Sequence, residues 1–162
     1  MLEPIVSLES VRADLAIRAP ELSLILTEDS TATVEEAAQV HGVVPDQIAK
    51  TLGVRLGSGE DARIVLVVMA GTKRLDNRKA REALGAKPRF LNGEEVLAAT
   101  SHPPGGVCPF GLPSPIPVYC DISLQAFDMV IPAAGSLNAS VMLSPAHLAD
   151  LTGAEWVQVA QD

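Results

Sequence analysis

Arg63-Ile64-Val65-Leu66-Val67-Val68-Met69-Ala70 is apolar throughout after its first residue. Its length and β-branched content predict a strand covered on both faces, at the centre of a sheet. Upstream, Gln47-Ile48-Ala49-Lys50-Thr51-Leu52-Gly53-Val54-Arg55-Leu56 alternates well enough to be a second strand, and Gly57-Ser58-Gly59-Glu60-Asp61 is the hairpin loop that joins the two. Ile48, Lys50 and Leu52 then share one face. A lysine among apolar neighbours is costly to bury without an anionic partner, so Lys50 either reaches an edge of the sheet or meets a ligand.

Working outward, Leu8, Val11 and Leu15 recur at helical spacing and predict a first helix that ends before Pro20. Leu22, Leu24 and Leu26 predict a short strand. Thr33 with Glu36 forms a capping box for a helix that Gly42 stops, which makes His41 a helix-end residue. Asp76 caps a helix through Leu84 closed by Gly85, and Asn92 with Glu95 starts another to Ala99. Strands are expected at 116–120, 128–131, 139–143 and 155–159, with a helix opened by Ser144-Pro145 through Leu151. Several strands lie too close together for helical crossovers. The expectation is one domain over residues 1–162, of the α/β or α+β class with a mixed sheet.

Nearly half the chain is hydrophobic (48%) but only 3% is aromatic, so the core is expected to be aliphatic. No apolar run approaches the roughly 20 residues of a membrane span, and Met1-Leu2-Glu3-Pro4 lacks the basic start of a secretory signal. A cytoplasmic protein with no membrane partner is expected. Cys108 and Cys120 have no metal-ligand spacing and read as thiols. The net charge of −8 argues against a general nucleic-acid binder. It hides an asymmetry, because residues 73–89 hold seven basic and two acidic residues, a local charge of +5 against −13 for the rest. Such a segment suits a small contact with an RNA end, and equally suits a solvated helix face. Lys73, Arg74, Arg78 and Lys79 are its candidate RNA contacts.

A second informative stretch is Gly105-Gly106-Val107-Cys108-Pro109-Phe110-Gly111, entered through His102-Pro103-Pro104 and left through Leu112-Pro113. Paired glycines permit positive φ and close approach to backbone amides, while the prolines remove slack. A rigid concave run of N–H groups can orient a carbonyl or stabilise an oxyanion; an ordinary surface turn has the same punctuation. The signatures of zinc hydrolases, serine hydrolases, phosphate-binding loops and dinucleotide sites are absent. His41, His102 and His147 are scattered, which leaves no metal set.

Taken in series, Thr33-Val34-Glu35-Glu36-Ala37-Ala38, Gln47-Ile48-Ala49-Lys50-Thr51-Leu52, Arg74-Leu75-Asp76-x-x-Lys79 and Gly105 through Gly111 resemble the YbaK/prolyl-tRNA-synthetase-associated editing domain. Val118-Tyr119-Cys120-Asp121 and Gly135-Ser136 fall where that family has a strand-end aspartate and a late glycine turn. The resemblance covers the chain from about Leu8 to Val159. It implies a curved, partly barrel-like mixed sheet flanked by helices, and a free-standing deacylase that removes a wrong, small amino acid from a tRNA, typically the tRNA for proline.

By the same resemblance Lys50 contacts the terminal adenosine or its phosphate, and the backbone from Gly105 through Gly106, Val107 and Cys108 to Pro109 holds the aminoacyl group. His102, Phe110, Gly111, Asp121, Gly135 and Ser136 are further candidate substrate contacts, although a strand-end cap explains Asp121 and a tight turn explains Gly135 and Ser136 equally well. No metal or other cofactor is implied. The implied partners are the acceptor end of a mischarged tRNA and a prolyl-tRNA synthetase. Departures are Ser101, where many relatives have glycine, and Thr51, where some have asparagine. Cys108 is either a side wall of the pocket or a small buried filler.

Two rivals to the deacylase follow from the same residues. One is a non-catalytic module that binds an aminoacyl or nucleotide ligand, or docks on a synthetase. The other is a cysteine hydrolase in which Cys108 is the nucleophile and His102 its base.

Overall fold

The computed structural model describes residues 3–162, with side chains from residue 7. In chain order the elements are α1 (Glu3–Arg18), β1 (Ile25–Leu26), α2 (Val34–His41), β2 (Ile48–Leu56), β3 (Arg63–Ala70), α3 (Asn77–Leu84), β4 (Pro88–Phe90), α4 (Gly93–Thr100), β5 (Val118–Asp121), β6 (Ile131–Pro132), β7 (Ala139–Ser140), α5 (Pro145–Thr152) and β8 (Glu155–Val157). Both capping boxes are present, Thr33 with Glu36 and Asn92 with Glu95, and Gly42 closes α2 in the left-handed conformation. Asp76 caps α3, and Gly85 ends it at φ 84°.

β3 is the central strand. Val65 through Met69 are wholly inaccessible. Alternation sends Leu66 and Val68 toward α1 and α5, into a core with Val11, Leu15, Phe110 and Leu148. Val65, Val67 and Met69 face the other way, where Ala80 and Leu84 of α3 and Val159 cover them. Helices on both faces therefore explain why the strand shows no polar side.

The main sheet runs β4-β2-β3-β5-β8. β2 is antiparallel to β3 and β4, whereas β3–β5 and β5–β8 are parallel. β6 also pairs with β2, in parallel. The sheet is mixed as expected, but open rather than closed toward a barrel. β1 and β7 form a separate antiparallel pair.

The outer edge of β2 positions the candidate site. β4 pairs with its far end at Val54, Arg55 and Leu56, and β6 pairs with its near end at Ile48 and Ala49. Among the described residues no strand pairs with Lys50–Leu52 on that edge, which leaves a notch in the sheet. Sequence reading misses β4, because Pro88-Arg89-Phe90 lacks apolar alternation and carries a proline; it is an edge strand, where a missing N–H is tolerated. β6 and β7 are shorter than the strands expected there, and Pro132 limits β6 for the same reason.

Candidate functional site

Lys50 lies in the notch, opposite Met69 of β3. Its ammonium is half-buried and donates to the carbonyl of Lys73. Burial and then the nearby Arg74 charge push the Lys50 pKa below its ordinary value, while Asp46 and Glu35 oppose them. The cation thus has one neutral carbonyl partner and a net cost of burial, which an anion would offset.

The Lys73 carbonyl is fixed by close backbone packing. A Cβ on Gly71 would lie 2.2 Å from the Pro45 carbonyl oxygen, so only glycine allows this approach. Asp46 accepts from the backbone N–H of Thr72 at 2.8 Å and also from the Thr72 hydroxyl. Those bonds, the hydroxyl's first, hold the Asp46 carboxyl below its ordinary pKa. Sequence reasoning passes over Asp46, Gly71 and Thr72; the one signal is the glycine between the central strand and the basic segment.

The glycine loop divides into two parts. Gly105 (φ 90°) and Val107 join Lys50 around a cavity of about 160 Å³, whose other walls include Val34, Ala37, Ile131 and Ser140. A Cβ on Gly105 would meet Ala32 Cβ at 2.8 Å. Gly106 anchors the loop from behind: its N–H donates to Pro103 at 2.9 Å and its carbonyl accepts from Gly135 at 3.0 Å. The expected run of free amides is therefore partly engaged within the protein.

Gly135, at φ 94°, packs against the Ser7 carbonyl, and Ser136 donates to Asn138 Oδ1 at 3.0 Å. Both back the loop, outside the cavity wall.

Residues 108–111 turn toward α1. Cys108, Phe110 and His102 are each 0% exposed. His102 Nε2 donates to the Phe110 carbonyl at 2.6 Å, and Nδ1 accepts from the Ser7 hydroxyl. Gly111 donates to Asp14 Oδ2 at 2.7 Å. Burial raises the Asp14 carboxyl, but bonds from Arg18 and Gly111 outweigh it and leave the pKa below its ordinary value. A separate cavity of about 680 Å³ lies on this side, with Pro109, Gly111 and Leu112 on its wall.

Cys108 Sγ does face His102 Nε2, at 3.5 Å. Burial pushes the thiol up to about 12, however, and the pair is sealed from the cavity. This is a correction to the cysteine-hydrolase reading: the thiolate such a nucleophile needs is strongly disfavoured, and Cys108 is a buried filler. Cys120 is likewise buried and pushed up to about 12.

Asp121 is 1% exposed and accepts from Ser123 N–H at 2.9 Å and Val159 N–H at 2.7 Å. One oxygen caps the turn that follows β5, and the other holds the chain just beyond β8.

The basic segment is also divided. Lys73 and Arg74 sit beside Lys50, with Arg74 exposed. Arg78 is exposed and pairs with Glu82 at 3.3 Å. Lys79 instead fastens the chain's last residues, donating to the Ala160 carbonyl at 3.0 Å and to Asp162 at 2.8 Å. Arg89 and Arg55 converge on Glu95, whose cap bond to Asn92, then Arg89, holds it at about 2.

The fold of the chain is shared with solved structures. One is described as a candidate trans-editing enzyme for prolyl tRNA synthetase, with TM-score 0.87 and 32% identity over 96% of this chain and 98% of that one. Another, of the hypothetical protein APE2540, matches with TM-score 0.85 and 33% identity over 94% and 99% of the two chains. In sequence, the uncharacterized protein YwhH of Bacillus subtilis (strain 168) is 42% identical over 157 residues, covering 96% of this chain and 98% of YwhH. A proline–tRNA ligase of Shouchella clausii (strain KSM-K16) is 34% identical over 99 residues, which are 60% of this chain and 17% of the ligase. The family model for the aminoacyl-tRNA editing domain matches residues 28–151, a span that includes the Lys50 notch and the whole glycine loop, and the chain belongs to that family.

Proposed function

We propose that the protein is a trans-acting deacylase that hydrolyses the ester of a mischarged tRNA, the tRNA for proline, carrying a small amino acid. The observation that carries this reading is the placement of Lys50, Gly105 and Val107 around one small cavity at a break in the sheet. The lysine offers a half-buried positive charge for the terminal nucleotide, and the loop offers rigid backbone for the ester carbonyl. A volume of about 160 Å³ suits a small side chain. Lys73 and exposed Arg74 extend positive charge from the mouth toward an RNA backbone.

In this mechanism the cavity takes the aminoacyl group, the loop orients the carbonyl, and Lys50 anchors the adjoining nucleotide. A positioned water attacks the carbonyl carbon and the ribose oxygen leaves, assisted by a neighbouring ribose hydroxyl of the substrate. An activated ester needs no protein nucleophile for this step. The likeness of residues 28–151 to the editing domain, and of part of the chain to proline–tRNA ligase, supports the tRNA for proline as substrate and the synthetase as functional partner.

The test is hydrolysis of a panel of tRNAs for proline charged with alanine, serine, threonine, cysteine and proline. Rapid loss of one or more small non-cognate esters, with prolyl ester spared, is expected. A folded protein that removes none would move the assignment to a binding module.

A further inference from the structure

Among the described residues, one buried side-chain oxygen or nitrogen has no hydrogen-bond partner: Thr51 Oγ1. Thr51 lies next to Lys50 in β2 and lines the same cavity of about 160 Å³. The other hydroxyls on this wall are engaged. Thr33 accepts the capping bond from Glu36 at 3.1 Å, Ser140 bonds to His41 Nε2 at 3.2 Å, and Thr31 donates to the Leu137 carbonyl at 3.4 Å.

A buried hydroxyl without a partner carries its full desolvation cost. Thr51 lines the proposed aminoacyl pocket beside apolar residues such as Val34, Ile48 and Ile131. We propose that Thr51 Oγ1 is a specificity group, which hydrogen-bonds the hydroxyl of a small aminoacyl side chain. This inference rests on the deacylase reading for the identity of the ligand, and it extends that reading from size to chemistry. A seryl group pairs with the orphan. An alanyl group of similar volume leaves it unpaired, and so does the apolar ring of the cognate prolyl group. Sites built to pair a substrate hydroxyl discriminate more strongly than sites that sense a missing methyl alone.

The experiment is calorimetric binding of the non-hydrolysable 3′-amide analogues of seryl- and alanyl-adenosine to wild type, Thr51→Val and Thr51→Ser, with ester hydrolysis run in parallel. Valine keeps the shape and removes the hydroxyl; serine keeps the hydroxyl. Wild type should bind the seryl analogue about tenfold tighter than the alanyl one, Thr51→Val should bring the ratio close to one, and Thr51→Ser should restore most of it. Equal affinities in wild type, no binding of the seryl analogue, or a preference that survives Thr51→Val would overturn the assignment. Selective binding that Thr51→Val abolishes, together with no ester hydrolysis, would uphold the recognition role and sink the deacylase.

Discussion

His102 Nε2 donates to the Phe110 carbonyl at 2.6 Å, across eight positions of chain, while its Nδ1 accepts from Ser7 in α1. One neutral imidazole thereby closes the base of the glycine loop and fastens it to the first helix. The loop's stiffness comes from this clasp as well as from its prolines. Replacing His102 with alanine leaves a buried carbonyl and hydroxyl unpaired beside a cavity, and should cost about 2–4 kcal/mol. Chemical denaturation measures this; a loss below about 0.5 kcal/mol, the range of ordinary surface changes, would contradict the clasp.

The same residue should make stability depend on pH. Burial lowers the His102 pKa from its ordinary 6.5, with the Phe110 carbonyl opposing. Folding therefore favours the neutral ring. The contribution is fully present above pH 6.5 and is lost as pH falls through the folded-state value, because the unfolded chain takes up the proton first. His41, lowered by burial, acts in the same direction. Melting temperature should fall between about pH 7 and pH 5, and the fall should be shallower in His102→Gln. An identical slope in that variant would remove His102 from the account.

How much of this is visible in the sequence depends on the range of the interaction. Both capping boxes and the central strand are legible, because each is set by residues a few positions apart. Lys50 is legible as a lysine in an apolar strand face. The His102–Ser7 bond is not, since its partners lie 95 residues apart. Nor is the division of the glycine loop, which depends on Asp14 receiving Gly111 from another element. Lys79 reads as a free cation only until the end of the chain folds back onto it. The notch in β2 is hidden as well, because β4 and β6 are short and each contains a proline.

Gly71 should tolerate no side chain. Alanine there places its Cβ 2.2 Å from the Pro45 carbonyl oxygen and 2.6 Å from Val34 Cγ1. The turn that carries the Lys73 carbonyl must move, taking the partner of Lys50 with it. A stability loss of about 1–3 kcal/mol is expected, with a drop in deacylation larger than the unfolded fraction explains. Unchanged melting and unchanged turnover would show that the close approach is unimportant.

Cys108 should be inert. With no exposure and a thiol pushed up to about 12, it should react slowly with iodoacetamide in the native protein and rapidly in denaturant. Cys108→Ala should keep turnover and lose about 1 kcal/mol of stability from the small void. Rapid loss of ester hydrolysis on alkylation of the folded protein would restore the thiol to the chemistry.

The most direct test of the site is ester hydrolysis by wild type and Lys50→Ala side by side, with folding checked by circular dichroism and thermal melting. Lys50 is half-buried with a carbonyl as its hydrogen-bond partner, so its removal should leave the fold intact. In the Lys50→Ala protein kcat/KM should fall by about a hundredfold or more. Full activity in a folded Lys50→Ala protein would contradict the assignment of the cavity between Lys50 and the glycine loop as the place where the ester is held.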